Sequence, residues 1–184
     1  MNPKKQEFWD LHIKSSSNTK ESIQKAAELG WHGICLVESF KDSKQYTSSL
    51  KKTNEMKLGI LRGALLDGIK GKEIQQQARK ALDSGADLIF YSAKNIEENR
   101  MASECWEVDV ICAPESTSEK DFMDQRQSGV DDVIAKNMAE RCMALEVSLS
   151  SLLDTQGRKR AETMGRIRQN LVLAKKYGVP VIFT

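Results

Sequence analysis

Histidine is almost missing from this chain of 184 residues: His12 and His32 are the two it has. That scarcity excludes a multi-histidine metal centre. No apolar run approaches the ~20 residues needed to cross a bilayer, and the lysine-bearing start lacks the apolar block of a secretion signal. A soluble, non-exported protein is therefore expected. The four cysteines, Cys35, Cys105, Cys112 and Cys142, form no C-x-x-C pair, so buried reduced thiols are expected rather than disulfides or zinc ligands. No glycine-rich phosphate loop, Ser-His-Asp order or zinc spacing occurs. Aromatic residues make up 6%, and few accompany the basic run near the C-terminus, which argues against stacking on unpaired bases.

What is present is a repeated unit. With 40% apolar residues the chain can bury one core, read here as one domain over residues 1–184. Asn18-Thr19-Lys20-Glu21 has the spacing of a capping box, and Ile23, Ala26 and Ala27 follow at helical spacing until Gly30. Gly33 to Val37 reads as a strand, the polar segment 41–54 as room for a short helix, and Lys57 to Leu66 as a strand weakened by two glycines. Ile74, Ala78, Ala81 and Leu82 mark a helix closed by Gly85, before a strand from Leu88 to Tyr91. Asn95 to Glu104 reads as a helix and Val108 to Cys112 as a strand. A polar loop from Pro114 to Ser128 precedes a helix capped by Asp131 or Asp132, with Ile134, Met138 and Cys142 on one face. Ala144 to Leu149 is a sixth strand. A long helix with Met164, Ile167, Leu171 and Ala174 inward stops at Gly178, and Val179 to Thr184 is a seventh strand.

Strands alternating with helices through short glycine turns predict a parallel sheet, either open or closed into a barrel. Two strands favour the barrel, because they carry polar faces that need a hydrated interior. In Phe8-Trp9-Asp10-Leu11-His12-Ile13-Lys14, strict alternation puts Trp9, Leu11 and Ile13 on one side and Asp10, His12 and Lys14 on the other. In the sixth strand Glu146 faces away from Leu145 and Val147. Asp10, His12, Lys14 and Glu146 are thus expected to form one polar network inside the barrel, with Lys14 facing Glu146 and His12 beside Asp10. The charges are also sorted along the chain. Acids outnumber bases by nine to two between Glu97 and Asp124, and bases outnumber acids by seven to one between Arg158 and Lys176. Two electrically distinct faces are expected, the basic one suited to phosphate.

Four stretches carry a family likeness: Phe8 to Lys14; Glu98-Asn99-Arg100-Met101-Ala102 ahead of Val108-Asp109-Val110-Ile111; Ala144 to Leu149; and Asn170 to Pro180. Their ordered set resembles the archaeal ribonuclease P protein component 3 (30 kDa subunit) family over nearly the whole chain. The resemblance implies a triose-phosphate-isomerase-type α/β barrel akin to polymerase and histidinol phosphatase enzymes. It implies a cytoplasmic ribonucleoprotein, with no membrane contact, that removes the 5′ leader from precursor tRNA. Catalysis there belongs to the RNA and its magnesium, so no catalytic residue and no bound cofactor is expected in this protein. Implied partners are the ribonuclease P RNA, precursor tRNA through the holoenzyme, protein component 2 and other protein subunits. Family barrels add a helix and an eighth strand, whereas this chain reads as seven strands, so closure at the C-terminal side is in question.

The rival is a metal-dependent phosphoesterase of the related barrel class. Such enzymes begin with Asp-x-His-x-His; Asp10 and His12 match, but Lys14 replaces the second histidine and repels a metal. For RNA, the expected contacts are Arg158, Lys159, Arg160, Arg166 and Arg168 on the outer side of the long helix. Lys14, Arg62, Lys94 and Arg100 form the alternative set.

Overall fold

Glycines in the left-handed region set the rhythm of the chain. Gly30, Gly85 and Gly178, with φ of 77°, 93° and 75°, end helices and turn the backbone into the next strand. The structure, a computed structural model, describes residues 7–15, 19–40, 58–117, 120–122 and 126–184. The elements are β1 (Trp9–Lys14), α1 (Thr19–Glu28), β2 (Gly33–Ser39), β3 (Gly59–Asp67), α2 (Glu73–Asp83), β4 (Leu88–Ser92), α3 (Ile96–Ser103), β5 (Val110–Cys112), α4 (Asp132–Glu140), β6 (Ala144–Val147), α5 (Ser150–Leu153), α6 (Gly157–Tyr177) and β7 (Val181–Phe183). The short helix expected within 41–54 lies outside the described residues.

All seven strands are parallel and pair in chain order, β1 to β7. A flat sheet would hold β1 and β6 roughly 24 Å apart at ~4.8 Å per strand. Instead His12 of β1 lies 2.8 Å from Glu146 of β6, so the sheet curls into a barrel. Among the described residues β1 and β7 do not pair, which leaves a seam. Alternate strand positions fill the two sides. Cys35, Val37, Phe90, Val110 and Cys112 cluster inside with Leu61, Leu65 and Ile182 packed against them. Ala64, Leu66, Ile89, Tyr91, Ile111 and Leu145 face the helices.

The first strand departs from strict alternation. Asp10 pairs with Ile34 but Ile13 pairs with Leu36, so a bulge inserts a residue between them. Asp10 and Ile13 therefore share the outer side of Ile34 and Leu36, where Asp10 lines a cleft with Glu21 and Lys25 of α1. Leu11 and His12 both turn inward, Leu11 onto the interior cluster and His12 onto the Phe90 ring at 5.1 Å. Asp10 Oδ1 accepts the His12 N–H at 3.2 Å, a local bond that supports the bulge. Trp9, expected outside, lies across Gly33 and Gly59, where a Cβ would meet its ring at 2.1 and 2.6 Å. The absent side chains in those two strands make room for the indole.

Helix ends follow local chemistry. Asn95 caps α3 by accepting the Glu98 N–H, and Asp131 caps α4 by accepting that of Ile134. Cys142 falls beyond α4, exposed and with φ 56°, and Met143 is the residue buried there. Along α6 the inward face is Ile167, Asn170 and Ala174, while Met164 is 56% exposed. The polar Asn170 is thus buried where apolar periodicity put its neighbour Leu171, which is half-buried.

Candidate functional site

Inside the barrel, Cys112 of β5 pairs in register with Glu146 of β6, so their side chains point the same way. His12 meets them from across the seam. Glu146 Oε2 lies 2.8 Å from His12 Nδ1, and Glu146 Oε1 accepts the Thr184 hydroxyl at 2.8 Å. Burial works against the Glu146 charge, but hydrogen bonds from His12, Cys112 and Thr184 outweigh it and hold its pKa below the ordinary carboxylate value. The Cys112 thiol is pushed well up, by burial first and by the Glu146 carboxylate second. His12 Nε2 is buried and has no hydrogen-bond partner.

Of the four residues expected in one interior network, the structure brings His12 and Glu146 together. Asp10 is displaced to the helix-covered side by the bulge. Lys14 is exposed at the end of β1 with no ion pair among the described residues; the carboxylate expected to face it is taken by His12. Strict alternation fails because the bulge moves one residue of the strand without altering the local sequence pattern.

A second polar assembly lies between α6 and the segment after β5. Arg166 donates to Asp121 Oδ1 at 2.8 Å and to the carbonyls of Glu115 and Thr117 at 3.2 and 2.9 Å. Gln169 and Asn170 donate to Arg126 and Ser128. The acidic and basic blocks are therefore packed together here rather than held on opposite faces. Glu115 is buried beneath, its Oε1 accepting the Ser148 N–H at 3.1 Å and its Oε2 without a partner. Burial pushes its pKa to about 7, and the nearby Glu146 charge adds to the rise.

The expected RNA-contacting residues divide by position. Arg158 has a side chain 92% exposed, paired with Glu162 at 2.8 Å. Lys159 is exposed, and Arg160 is exposed while donating to the Thr155 carbonyl at 2.7 Å. These three sit where α6 begins, on the side where the strands end, as do Lys14 and, farther round the barrel, Lys94. Arg168 is exposed along a groove shared with Phe122 and Val172. Arg166 does not point outward: its side chain is 12% exposed and braced as described. Arg62 belongs to the opposite end, where its N–H donates to Asp87 Oδ2 and its guanidinium lies against Gly85 in the turn before β4. Arg100 donates to Asp131 Oδ2 at 2.6 Å, joining α3 to the cap of α4.

Sequence reasoning missed Lys70, an exposed lysine 3.2 Å from the buried Glu98 and so beside Lys94, whose N–H the same carboxylate accepts. Burial opposes the Glu98 charge, but the Lys94 N–H and the Lys70 ammonium more than offset it. It also missed the Arg166 brace, since charge counting does not separate a buried strut from a solvated cation. The partners of Cys112 and Glu115 lie 30 or more residues away, beyond any local signal.

Fold and site together define a triose-phosphate-isomerase-type α/β barrel with a buried His12–Glu146 pair in a mainly apolar interior and exposed cations at the strand ends. A family model described as RNase P subunit p30 matches residues 7–184. Ribonuclease P protein component 3 of Methanothermobacter thermautotrophicus is 28% identical over 183 residues, covering 96% of this chain and 71% of that protein. The same component of Methanocaldococcus jannaschii is 28% identical over 167 residues, covering 90% and 68%. Among solved structures, a chain in the cryo-EM structure of archaeal ribonuclease P with mature tRNA has the same fold. Its TM-score is 0.75 at 24% identity, covering 95% of this chain and 72% of that one. The chain belongs to the RNase P subunit p30 family.

Proposed function

We propose that this chain is a protein subunit of archaeal ribonuclease P that supports removal of the 5′ leader from precursor tRNA without supplying the catalytic groups. The observation that carries the reading is the family match from residue 7 to residue 184. Its partners are the ribonuclease P RNA, precursor tRNA through the holoenzyme, and further protein subunits, component 2 among them. The magnesium of the reaction resides on the RNA. No helix of the described residues is long and apolar enough to cross a membrane, which agrees with a cytoplasmic ribonucleoprotein. The rim cations Lys14, Lys94, Arg158, Lys159 and Arg160, with Arg168, contact phosphate. Lys70 joins them. Such contacts read shape and backbone rather than base sequence.

The test is reconstitution of precursor-tRNA cleavage from the RNA and the other subunits, with and without this protein. Faster leader removal in its presence, with no cleavage by the protein alone, is expected. Indifference of the assembled RNA to the protein would refute the reading. Cleavage by the protein alone that is lost in His12→Ala would assign it to the metal-dependent phosphoesterases instead.

A further inference from the structure

We propose that His12, Cys112 and Glu146 form a binding site for one divalent transition-metal ion of the zinc or cobalt class, which clasps β1 to β5 and β6 across the seam. One ligating atom from each residue lies within 4.8 Å of the other two. Ligands 2.0 to 2.3 Å from a tetrahedral ion stand about 3.4 to 3.8 Å apart, so the widest separation closes by about 1 Å while the 2.8 Å His12–Glu146 pair opens by about 0.6 Å. Two of the three are neighbours in register, which fixes their spacing before any ion arrives.

The ligand set defines the class of ion. An imidazole nitrogen, a thiolate sulfur and a carboxylate oxygen suit zinc or cobalt, whereas magnesium prefers oxygen ligands and retained water. Three protein ligands leave a fourth position open. The His12 side chain is 9% exposed and already turns its Nδ1 onto Glu146 Oε2 at 2.8 Å, so an imidazole nitrogen and a carboxylate oxygen converge in a buried site before any ion arrives. The Thr184 hydroxyl on Glu146 Oε1 supplies the supporting contact that orients a ligating carboxylate. Binding displaces the Cys112 thiol proton and any proton on the ligating imidazole nitrogen to solvent, and no electron transfer is involved.

This site differs from the Asp-x-His-x-His cluster that Lys14 excludes. It uses a single histidine and a cysteine from another strand, and Asp10 takes no part. It is independent of ribonuclease P function, because a clasp inside the barrel acts on the protein's own closure.

Cobalt(II) titration of the purified full chain, freed of metal, tests it. One equivalent should produce thiolate-to-cobalt absorption in the near ultraviolet together with the visible bands of a tetrahedral ion. Cys112→Ser should abolish the thiolate absorption, while Cys105→Ser and Cys142→Ser keep it. Affinity in His12→Ala should fall by more than the ~10- to 100-fold expected from loss of a merely supporting contact. Zinc should raise the melting temperature of the wild-type chain but not that of His12→Ala. The thiolate-to-cobalt band of the unmutated protein, and its disappearance on adding one equivalent of zinc, keep the test decisive if a variant does not fold. Absence of the thiolate band, its survival in Cys112→Ser, or its loss in Cys142→Ser overturns the proposal.

Discussion

Replacing Glu115 by glutamine should make the protein more stable at high pH and change little at low pH. The carboxyl is 1% exposed, keeps one oxygen on the Ser148 N–H and leaves the other without a partner. Its pKa rises from an ordinary 4.5 to about 7, first through burial. Below pH 4.5 the group is protonated whether the chain is folded or not, so no linkage arises. Between 4.5 and 7 the unfolded chain sheds the proton while the folded chain keeps it, and stability falls as pH rises. Above 7 both forms are ionised and the loss levels off. At ~1.4 kcal/mol for each factor of ten, the full loss is about 3 kcal/mol. Glutamine never ionises, can still accept from Ser148, and places an amide where the second oxygen had no partner. Urea denaturation of wild type and Glu115→Gln, with chelator present, at pH 4.5 and pH 8 measures the difference. The variant's advantage should grow by about 2 to 3 kcal/mol across that range, or roughly 5 to 10 °C in melting temperature. An advantage that is flat with pH would show that Glu115 titrates as an exposed carboxyl and that the buried site is misread.

Gly129 has φ 79°, and a Cβ there would meet the Pro114 carbonyl oxygen at 2.3 Å, so Gly129→Ala should cost about 2 kcal/mol or more by denaturation. Gly30→Ala, at φ 77° in open space, should cost about 1 kcal/mol; equal costs would show that the Pro114 contact is immaterial. Arg166→Met removes three hydrogen bonds to the loop after β5 and should destabilise the protein by about 2 to 3 kcal/mol. Arg158→Met, at a side chain 92% exposed, should cost about 0.5 kcal/mol or less. In RNA binding measured against salt the two should reverse: loss of Arg158 lowers the slope by about one phosphate contact, and loss of Arg166 leaves it alone. A steep loss of slope in a folded Arg166→Met protein would refute the division into struts and contacts.

The elements were legible where chemistry is local. Helices closed by Gly30, Gly85 and Gly178, and apolar strands directly after them, mark their boundaries in the sequence. Glu146 was legible as an inward acid because β6 does alternate. Asp10 was not legible as outward-facing, because the β1 bulge is set by pairing with β2 rather than by residue type. Arg166 and Asn170 read as solvated or neutral positions on a helix. Their burial arises from the Glu115 to Ser128 segment, which is distant in sequence and has no periodicity. Met164 satisfied the apolar spacing but is exposed, since the brace residues Arg166, Gln169 and Asn170 turn the opposite side of α6 onto its neighbours.

The seam has a consequence for how the chain folds. Each strand pairs with its predecessor in the sequence, so every ladder closes over a short crossover and can form without waiting for the chain's far end. The link between His12 and Glu146 spans 134 residues and has no ladder beside it. Curling of the finished sheet is therefore the last event in assembly and the first to reverse. Backbone amides of β3 and β4, in the middle of the strand order, should exchange with solvent only on global unfolding. Those of β1 and β7 should exchange through a lower-energy opening that leaves the rest of the sheet intact.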